Sequence, residues 1–287
     1  MDRRIALKYS TLLGASAAAG LMTTNNARAQ ATKVPINSNS TLDRVRQKKI
    51  LRVAALNGQA PYFIKNLITG KWTGACIDMA HDIASKLGAS VELIESTWGN
   101  QILDLQTDKV DLAFCVNPTP ERALVIDFTA PLFSQPFVAV TRKGFAKPHT
   151  WSDLNSANVR IAVDLGSSYE MIARRYLPKA NISSFKNRDE AILAVSTNRA
   201  DVNIANLFVG LPMLKKTSGL AALSVPLPTI TLPTCMGIRF QGDYRWRDFL
   251  SVWSEYNHSL GQTREWIVKG LAESGIAANE IPPEIHF

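Results

Sequence analysis

Cysteine is scarce in this chain: Cys76, Cys115 and Cys235 are the three among 287 residues. An odd count allows at most one internal disulfide, and the wide spacing excludes a zinc ribbon or a close-spaced redox pair. His81, His149, His258 and His286 are equally scattered, none with a second ligand three or four residues away, so no metal is expected. No Gly-x-Ser-x-Gly elbow occurs, which removes an α/β-hydrolase serine. Neither a Gly-x-Gly-x-x-Gly fingerprint nor a phosphate loop is present, so no nucleotide cofactor is expected. Lys and Arg (32) outnumber Asp and Glu (24), a net charge of +8. No basic run interleaves with aromatics, however, and nucleic acid is not an expected partner. Repeats and low-complexity tracts are also missing. After residue 30 no stretch reaches about 18 unbroken apolar residues, so the mature chain is expected to be soluble.

What is there begins with an export signal at residues 1–29. Arg3, Arg4 and Lys8 lead into an uncharged Ala/Gly/Leu-rich run from Tyr9 to Met22, and Ala27-Arg28-Ala29 supplies the small residues of a cleavage site. The pair Arg3-Arg4 resembles a twin-arginine signal, with Ala6 where that motif prefers a bulky apolar residue, so the Sec and twin-arginine routes both stay open. Removing Arg3, Arg4, Lys8 and Arg28 together with Asp2 lowers the net charge from +8 to +5. With 46% hydrophobic and 20% charged residues, the remainder has the composition of a globular protein. It is long enough for two cores of ordinary size.

Apolar runs and helical spacing alternate along the chain. Ile50 to Ala55, Val91 to Ile94 and Val110 to Val116 predict strands. Ile77, Ala80, Ile83, Ala84 and Leu87 recur at helical spacing before Gly88, and Ile102 and Leu105 mark a further helix. Phe137 to Thr141 is an apolar extended run. The pattern then restarts: a strand at Val159 to Val163, a break at Gly166-Ser167-Ser168, a helix from Tyr169 to about Tyr176, a helix from Glu190 to Asn198, and a strand at Ala200 to Ala205. Two terminal helices, near 247–260 and 264–274, place Trp253, Tyr256, Trp266 and Ile267 on apolar faces that read as core. The whole predicts an α/β protein with largely parallel sheets flanked by helices. Cys115 lies within one apolar run and reads as a small buried hydrophobe.

Order and spacing of short motifs carry a resemblance. Pro61-Tyr62, Gly74-Ala75-Cys76-Ile77-Asp78-Met79, Trp98, Lys109-Val110-Asp111, Thr119-Pro120-Glu121-Arg122-Ala123 and Asp127-Phe128-Thr129-Ala130-Pro131 follow one another in the first half. Gly166-Ser167-Ser168 and Arg199-Ala200-Asp201 follow in the second, and Gly261 and Trp266 near the end. The chain resembles the family 3 periplasmic solute-binding proteins, the polar amino-acid receptors of ABC importers. Ala75 and Cys76 depart from the family's aromatic and acidic residues. The resemblance implies a type II periplasmic-binding-protein fold: a discontinuous first lobe (41–140 plus 236–287), an inserted second lobe (141–235), and a two-strand hinge near 140–142 and 234–237. It further implies a monomer in the periplasm, delivering an amino acid or related small carboxylate to an ABC permease of the inner membrane, and not an enzyme.

Arg122 is the leading candidate for the ligand's carboxylate, because a guanidinium fork matches a carboxylate with two parallel hydrogen bonds. The competing reading pairs it with Glu121 or Asp127 at the surface. Thr119 adds a hydroxyl, and Asn117 belongs to the same loop. Ser167 and Ser168 stand at a helix start whose N–H groups favour an anion, and equally serve as an ordinary N-cap. Three positions depart from the amino-acid-binding pattern. Gln59 replaces a stacking aromatic, Leu56 replaces an Asp, and Asn206 replaces the Asp that faces the ligand's ammonium. Asn206 offers only a dipole against a costly desolvated cation, so a ligand lacking the α-amine becomes an alternative. Trp98 serves either as an apolar wall for the ligand or as core. Two other functions remain open: a cyclohexadienyl dehydratase-like enzyme on the same fold, with Glu170 as the acid, and a soluble ligand-sensing protein.

Overall fold

In this computed structural model residues 40–281 are described, and the expected export signal at 1–29 lies outside them. The elements in chain order are α1 (Thr41–Lys48), β1 (Ile50–Leu56), β2 (Ile64–Lys65), β3 (Trp72–Thr73), α2 (Ala75–Lys86), β4 (Ser90–Ser96), α3 (Gln101–Gln106), β5 (Leu112–Val116), α4 (Pro120–Ala123), β6 (Ile126–Phe128) and β7 (Phe133–Arg142). They continue as β8 (Arg160–Asp164), α5 (Ser168–Tyr176), β9 (Asn181–Phe185), α6 (Arg188–Ser196), β10 (Val202–Asn206), α7 (Leu207–Lys216), β11 (Leu220–Ser224), β12 (Thr231–Arg239), α8 (Arg245–Ser259) and α9 (Gln262–Glu273). Among the described residues no helix is long and apolar enough to cross a membrane.

The strands order as β4-β1-β5-β12-β7-β10-β8-β9. At one end β1 runs parallel to β4 and β5; at the other β8 runs parallel to β9 and β10. Parallel strands covered on both faces read as unbroken apolar runs, and β5 is buried at every residue. Helix α2 buries Ala75, Cys76, Ile77, Met79, Ala80, Ile83 and Ala84, the stripe that the spacing predicts. The two ends of the strand order meet where Phe133–Pro136 of β7 pairs antiparallel with Thr231–Thr234 of β12. Residues 137–141 of β7 pair with β10 instead, as far as Val202. Near the C-terminus Trp253 and Ile267 are buried and Trp266 stacks on Trp253 at 5.6 Å, whereas Tyr256, expected on an apolar face, is 64% exposed.

The two aliphatic-Asp motifs perform one task twice. Asp111 accepts from the main-chain N–H of Arg52 at 2.8 Å and from its guanidinium, and Arg44 joins the same carboxylate. Asp201 accepts from the N–H of Arg160 at 2.9 Å, from the Arg160 guanidinium at 2.8 Å and from Arg142 at 2.8 Å. Each carboxylate thereby pins the start of the strand beside it. The Arg160 bonds, with Arg142 adding to them against the opposing cost of burial, hold the Asp201 carboxyl well below the usual carboxylate range. A depressed folded pKa contributes stability above the unfolded value, and that contribution is lost as pH falls below about 4. Asp201→Asn is therefore expected to lower stability at pH 7 by about 1–2 kcal/mol, with Arg160 near solvent limiting the effect. Urea unfolding at pH 7 and pH 3 checks this: the gap between variant and parent must narrow at the lower pH.

Candidate functional site

The C-terminal ends of β5 and β8 approach one another, the place where open α/β sheets hold ligands. Beyond β5, Asn117 and Pro118 lead to Thr119, whose hydroxyl caps α4 by accepting from the N–H of Arg122 at 3.2 Å. Pro120 at the first helical position needs no donor there. This single turn places the Arg122 guanidinium across the gap. Its Nη1 donates to the carbonyl of Asn117 at 2.9 Å, and its Nη2 donates to the carbonyl of Gly166 at 2.9 Å.

Opposite, β8 ends at Asp164 and the chain turns through Gly166 at φ +72 into α5. A Cβ on Gly166 would lie 2.8 Å from Gly99 Cα, so glycine permits both the left-handed turn and the close approach. Ser167 caps α5, accepting from the N–H of Glu170 and donating to the carbonyl of Asp164 at 2.6 Å. Ser168 Oγ donates to Asn117 Oδ1 at 2.7 Å, and Asn117 Nδ2 donates to the carbonyl of Pro233 at 2.8 Å.

Trp98, Cys115, Asn117, Arg122, Ser168 and Tyr169 enclose a cavity with about 10 Å³ for a water centre, room for about one water molecule. Four of the eight residues singled out in the sequence thus share one cavity: Trp98, Asn117, Arg122 and Ser168. Thr119 and Ser167 sit just behind it, their hydroxyls used as caps. Asn206 is committed elsewhere, with Nδ2 donating to Tyr169 Oη at 2.9 Å and Oδ1 capping α7 through the N–H of Val209. Gln59 lines a neighbouring cavity of about 200 Å³ that Trp98 and Arg188 also border. Gln59 Oε1 and Trp98 Nε1 are both buried without a hydrogen-bond partner, hydrogen-bonding capacity that is costly to leave unused.

The half-buried Arg122 makes no ion pair with a carboxylate from another element among the described residues. Burial draws its pKa down, against the opposing pull of the neighbouring Glu121. Two carbonyl dipoles orient this guanidinium without neutralising it. The surface pairing with Glu121 or Asp127 weighed from the sequence is not how the guanidinium is held.

Sequence reasoning passed over the groups beneath the cavity. Arg188 and Asp164, both 1% exposed, pair at 2.7 Å, and Arg188 Nη1 donates to Asn203 Oδ1 at 2.9 Å. The Arg188 guanidinium lies 4.7 Å over the ring of Tyr169, and burial raises the Tyr169 phenol above its ordinary value. In sequence Arg188 precedes the helix expected from Glu190 to Asn198, whereas α6 begins at Arg188 itself. The one available signal was Asp164, a carboxylate ending an apolar strand.

Two parallel strand sets with facing C-terminal ends, joined by paired crossing strands, define the type II periplasmic-binding-protein architecture. Residues 51–199 match the bacterial extracellular solute-binding proteins, family 3, and the chain belongs to that family. It is 28% identical over 157 residues to a probable histidine-binding protein of Campylobacter jejuni, covering 54% of this chain and 59% of that protein. It is 28% identical over 145 residues to a cyclohexadienyl dehydratase of Pseudomonas aeruginosa, covering 50% of this chain and 54% of the enzyme. These matches thus span little more than half of each relative. Among solved structures, an ancestral amino acid-binding protein, a precursor of cyclohexadienyl dehydratase, superposes with a TM-score of 0.71 at 30% identity. That superposition covers 81% of this chain and 100% of the ancestral one.

Proposed function

We propose that this protein is the substrate-binding component of an ABC importer, exported to the periplasm, and that it captures an amino acid or related small carboxylate. The Arg122 guanidinium at the cavity wall, which among the described residues no carboxylate from another element pairs, carries the reading. A cation held by carbonyls alone in a closing gap favours an anionic guest, and its fork suits a carboxylate. Ser168, Asn117 and the start of α5 add neutral donors. Two lobes, 41–140 with 236–287 and 141–235, close over the ligand by rotation about the crossing strands. The histidine-binding name of the Campylobacter relative and the ancestral protein's amino-acid binding support the class of ligand.

Glu170 speaks against the dehydratase alternative. Burial alone would raise its pKa, but Ser184 Oγ at 2.7 Å, the N–H of Gly166 at 2.8 Å and Arg174 at 2.8 Å together hold it below the usual value. A carboxylate so held keeps no proton for general acid work at neutral pH.

The direct test is a thermal-shift panel of α-amino acids and matched acids lacking the amine. At about 100 times its dissociation constant a ligand adds roughly 2.7 kcal/mol, a rise of several degrees. Silence from both sets, with turnover of a cyclohexadienyl acid, would overturn the proposal in favour of the enzyme. The closing motion has its own test. Gly166→Ala is expected to weaken ligand affinity roughly tenfold, about 1.4 kcal/mol, because the new methyl meets Gly99 Cα as the lobes approach, while the strain of the left-handed turn falls on folding instead. Calorimetric titration of the two proteins measures it, and equal affinities would show that the lobes need not approach so closely.

A further inference from the structure

Two buried thiols, one of them at the wall of the ligand cavity, stand against each other. Cys76 is the second residue of α2 and Cys115 lies in β5, and their Sγ atoms are 3.5 Å apart. Both positions are closed to solvent, at 0% and 5% exposure.

The backbone at Cys115 is what sets this contact. Its φ is +60, a left-handed conformation that residues with a side chain adopt at a cost. Pairing with β12 explains the departure. Cys235 faces Val116 and Gly237 faces Ala113, so Met236 alone stands opposite both Phe114 and Cys115. That is a β-bulge, a device that re-aims a side chain and concentrates near functional sites. Here it sets Cys115 at the wall of the Arg122 cavity while keeping its sulfur beside Cys76. Helix α2 is anchored at the same point, its first N–H groups donating from Ala75 to the carbonyl of Pro61 at 3.0 Å and from Cys76 to that of Tyr62 at 3.1 Å.

We propose that Cys76 and Cys115 form an intramolecular disulfide in the exported protein, tying the first turn of α2 to the cleft wall. A bonded pair needs its sulfurs at about 2.05 Å, so the two must close by roughly 1.5 Å through side-chain rotation and a small shift of the bulge. The oxidant is a disulfide of the extracytoplasmic space. One cysteine thiolate attacks a sulfur of that disulfide, forming a mixed disulfide and releasing the donor's first thiolate. The second cysteine attacks the mixed disulfide, forming the Cys76–Cys115 bond and releasing the donor's second thiolate. Two protein thiols are oxidised, one donor disulfide is reduced to two thiols, and the two protons pass to the donor. Burial, with Cys115 adding to it, pushes the Cys76 thiol well above its ordinary value, so exchange proceeds during folding or through the opened cleft, where Cys115 is reached first. The family's extracellular setting favours persistence of the bond. The inference is independent of which ligand binds.

The test uses the purified full chain, folded in the reduced state and equilibrated with glutathione disulfide. After denaturation, free thiols are alkylated with and without prior reduction, and intact mass and linked peptides are read. The expected result is one adduct before reduction, three after, a mass two hydrogens lighter than the thiol form, and a peptide joining Cys76 to Cys115. A Cys235→Ser variant is expected to take none before and two after, with the reduced form melting several degrees lower. Full alkylation without reduction overturns the proposal. So does a bond that includes Cys235, or glutathione adducts in place of the internal bond.

Discussion

Arg122→Ala is expected to lower affinity for the carboxylate ligand by about 100-fold or more. Truncating one partner of a desolvated, hydrogen-bonded charge pair costs about 2–5 kcal/mol, and here the guest would lose its fork and its counter-charge together. A smaller effect opposes this. The Arg122 bond to the Gly166 carbonyl helps hold the gap shut, and its loss eases opening by about 1 kcal/mol. The charge term is the larger, so the net result is weaker binding. Arg122→Lys should fall between parent and alanine variant, keeping charge without the planar fork. Titration calorimetry with the ligand from the thermal-shift panel decides the matter. Unchanged affinity in Arg122→Ala would remove this residue from the site.

The largest loss of stability is expected from Arg188→Met. Removing the guanidinium strands Asp164 in the interior and also deletes the bond to Asn203 and the contact with the Tyr169 ring. Breaking a buried pair from one side costs about 3–5 kcal/mol. For a protein of this size each kcal/mol moves the melting point by about 2–4 °C, so a fall of roughly 10 °C is expected. The variant should also acquire a distinctive pH response. In the parent, burial already raises the Asp164 carboxyl, against the opposing pull of Arg188 and Gln59. Without Arg188 the folded pKa climbs further above the unfolded value. The folded form then binds the proton more tightly, so stability is regained as pH falls from neutrality toward about 4 and lost as it rises. Adding Asp164→Leu should recover most of the loss at pH 7, because a paired apolar replacement leaves no buried charge. Melting curves at several pH values test this, and a pH-independent deficit would contradict the account.

The legible part of the fold was the part written as local pattern. Strands β1, β5 and β8 read as apolar runs because they are covered on both faces, and α2 was visible through its stripe and Gly88. Strand β9 and helix α7 were not. Helix α7 contains Gly210 and Pro212, residues that argue against a helix in sequence. Tertiary packing overrides them: a Cβ at Gly210 would come within 2.8 Å of Leu223 Cδ1, so the glycine lets the helix lie close on the sheet. The crossing strands came from the resemblance and not from local pattern, since Pro136 and Pro233 lower strand expectation although each sits within the pairing of β7 with β12. At the candidate site Arg122, Asn117 and Ser168 were legible because a cap, a proline and a glycine turn fix them by near neighbours. Asp164 and Arg188 were not, since a buried ion pair exists only once α6 packs against β8. Nor could spacing place Cys76 beside Cys115, because a helix start and a bulge meet only in the folded chain.

The place of β12 between β5 and β7 has a bearing on biosynthesis. Val116 must wait for Cys235 before β5 acquires its second neighbour, whereas β8, β9 and β10 find their partners within a shorter span of chain. Closing so long a loop is entropically slower than local pairing. The inserted half is thus able to assemble while the other still holds an open sheet edge, and that edge is sealed only when the last strand has been made.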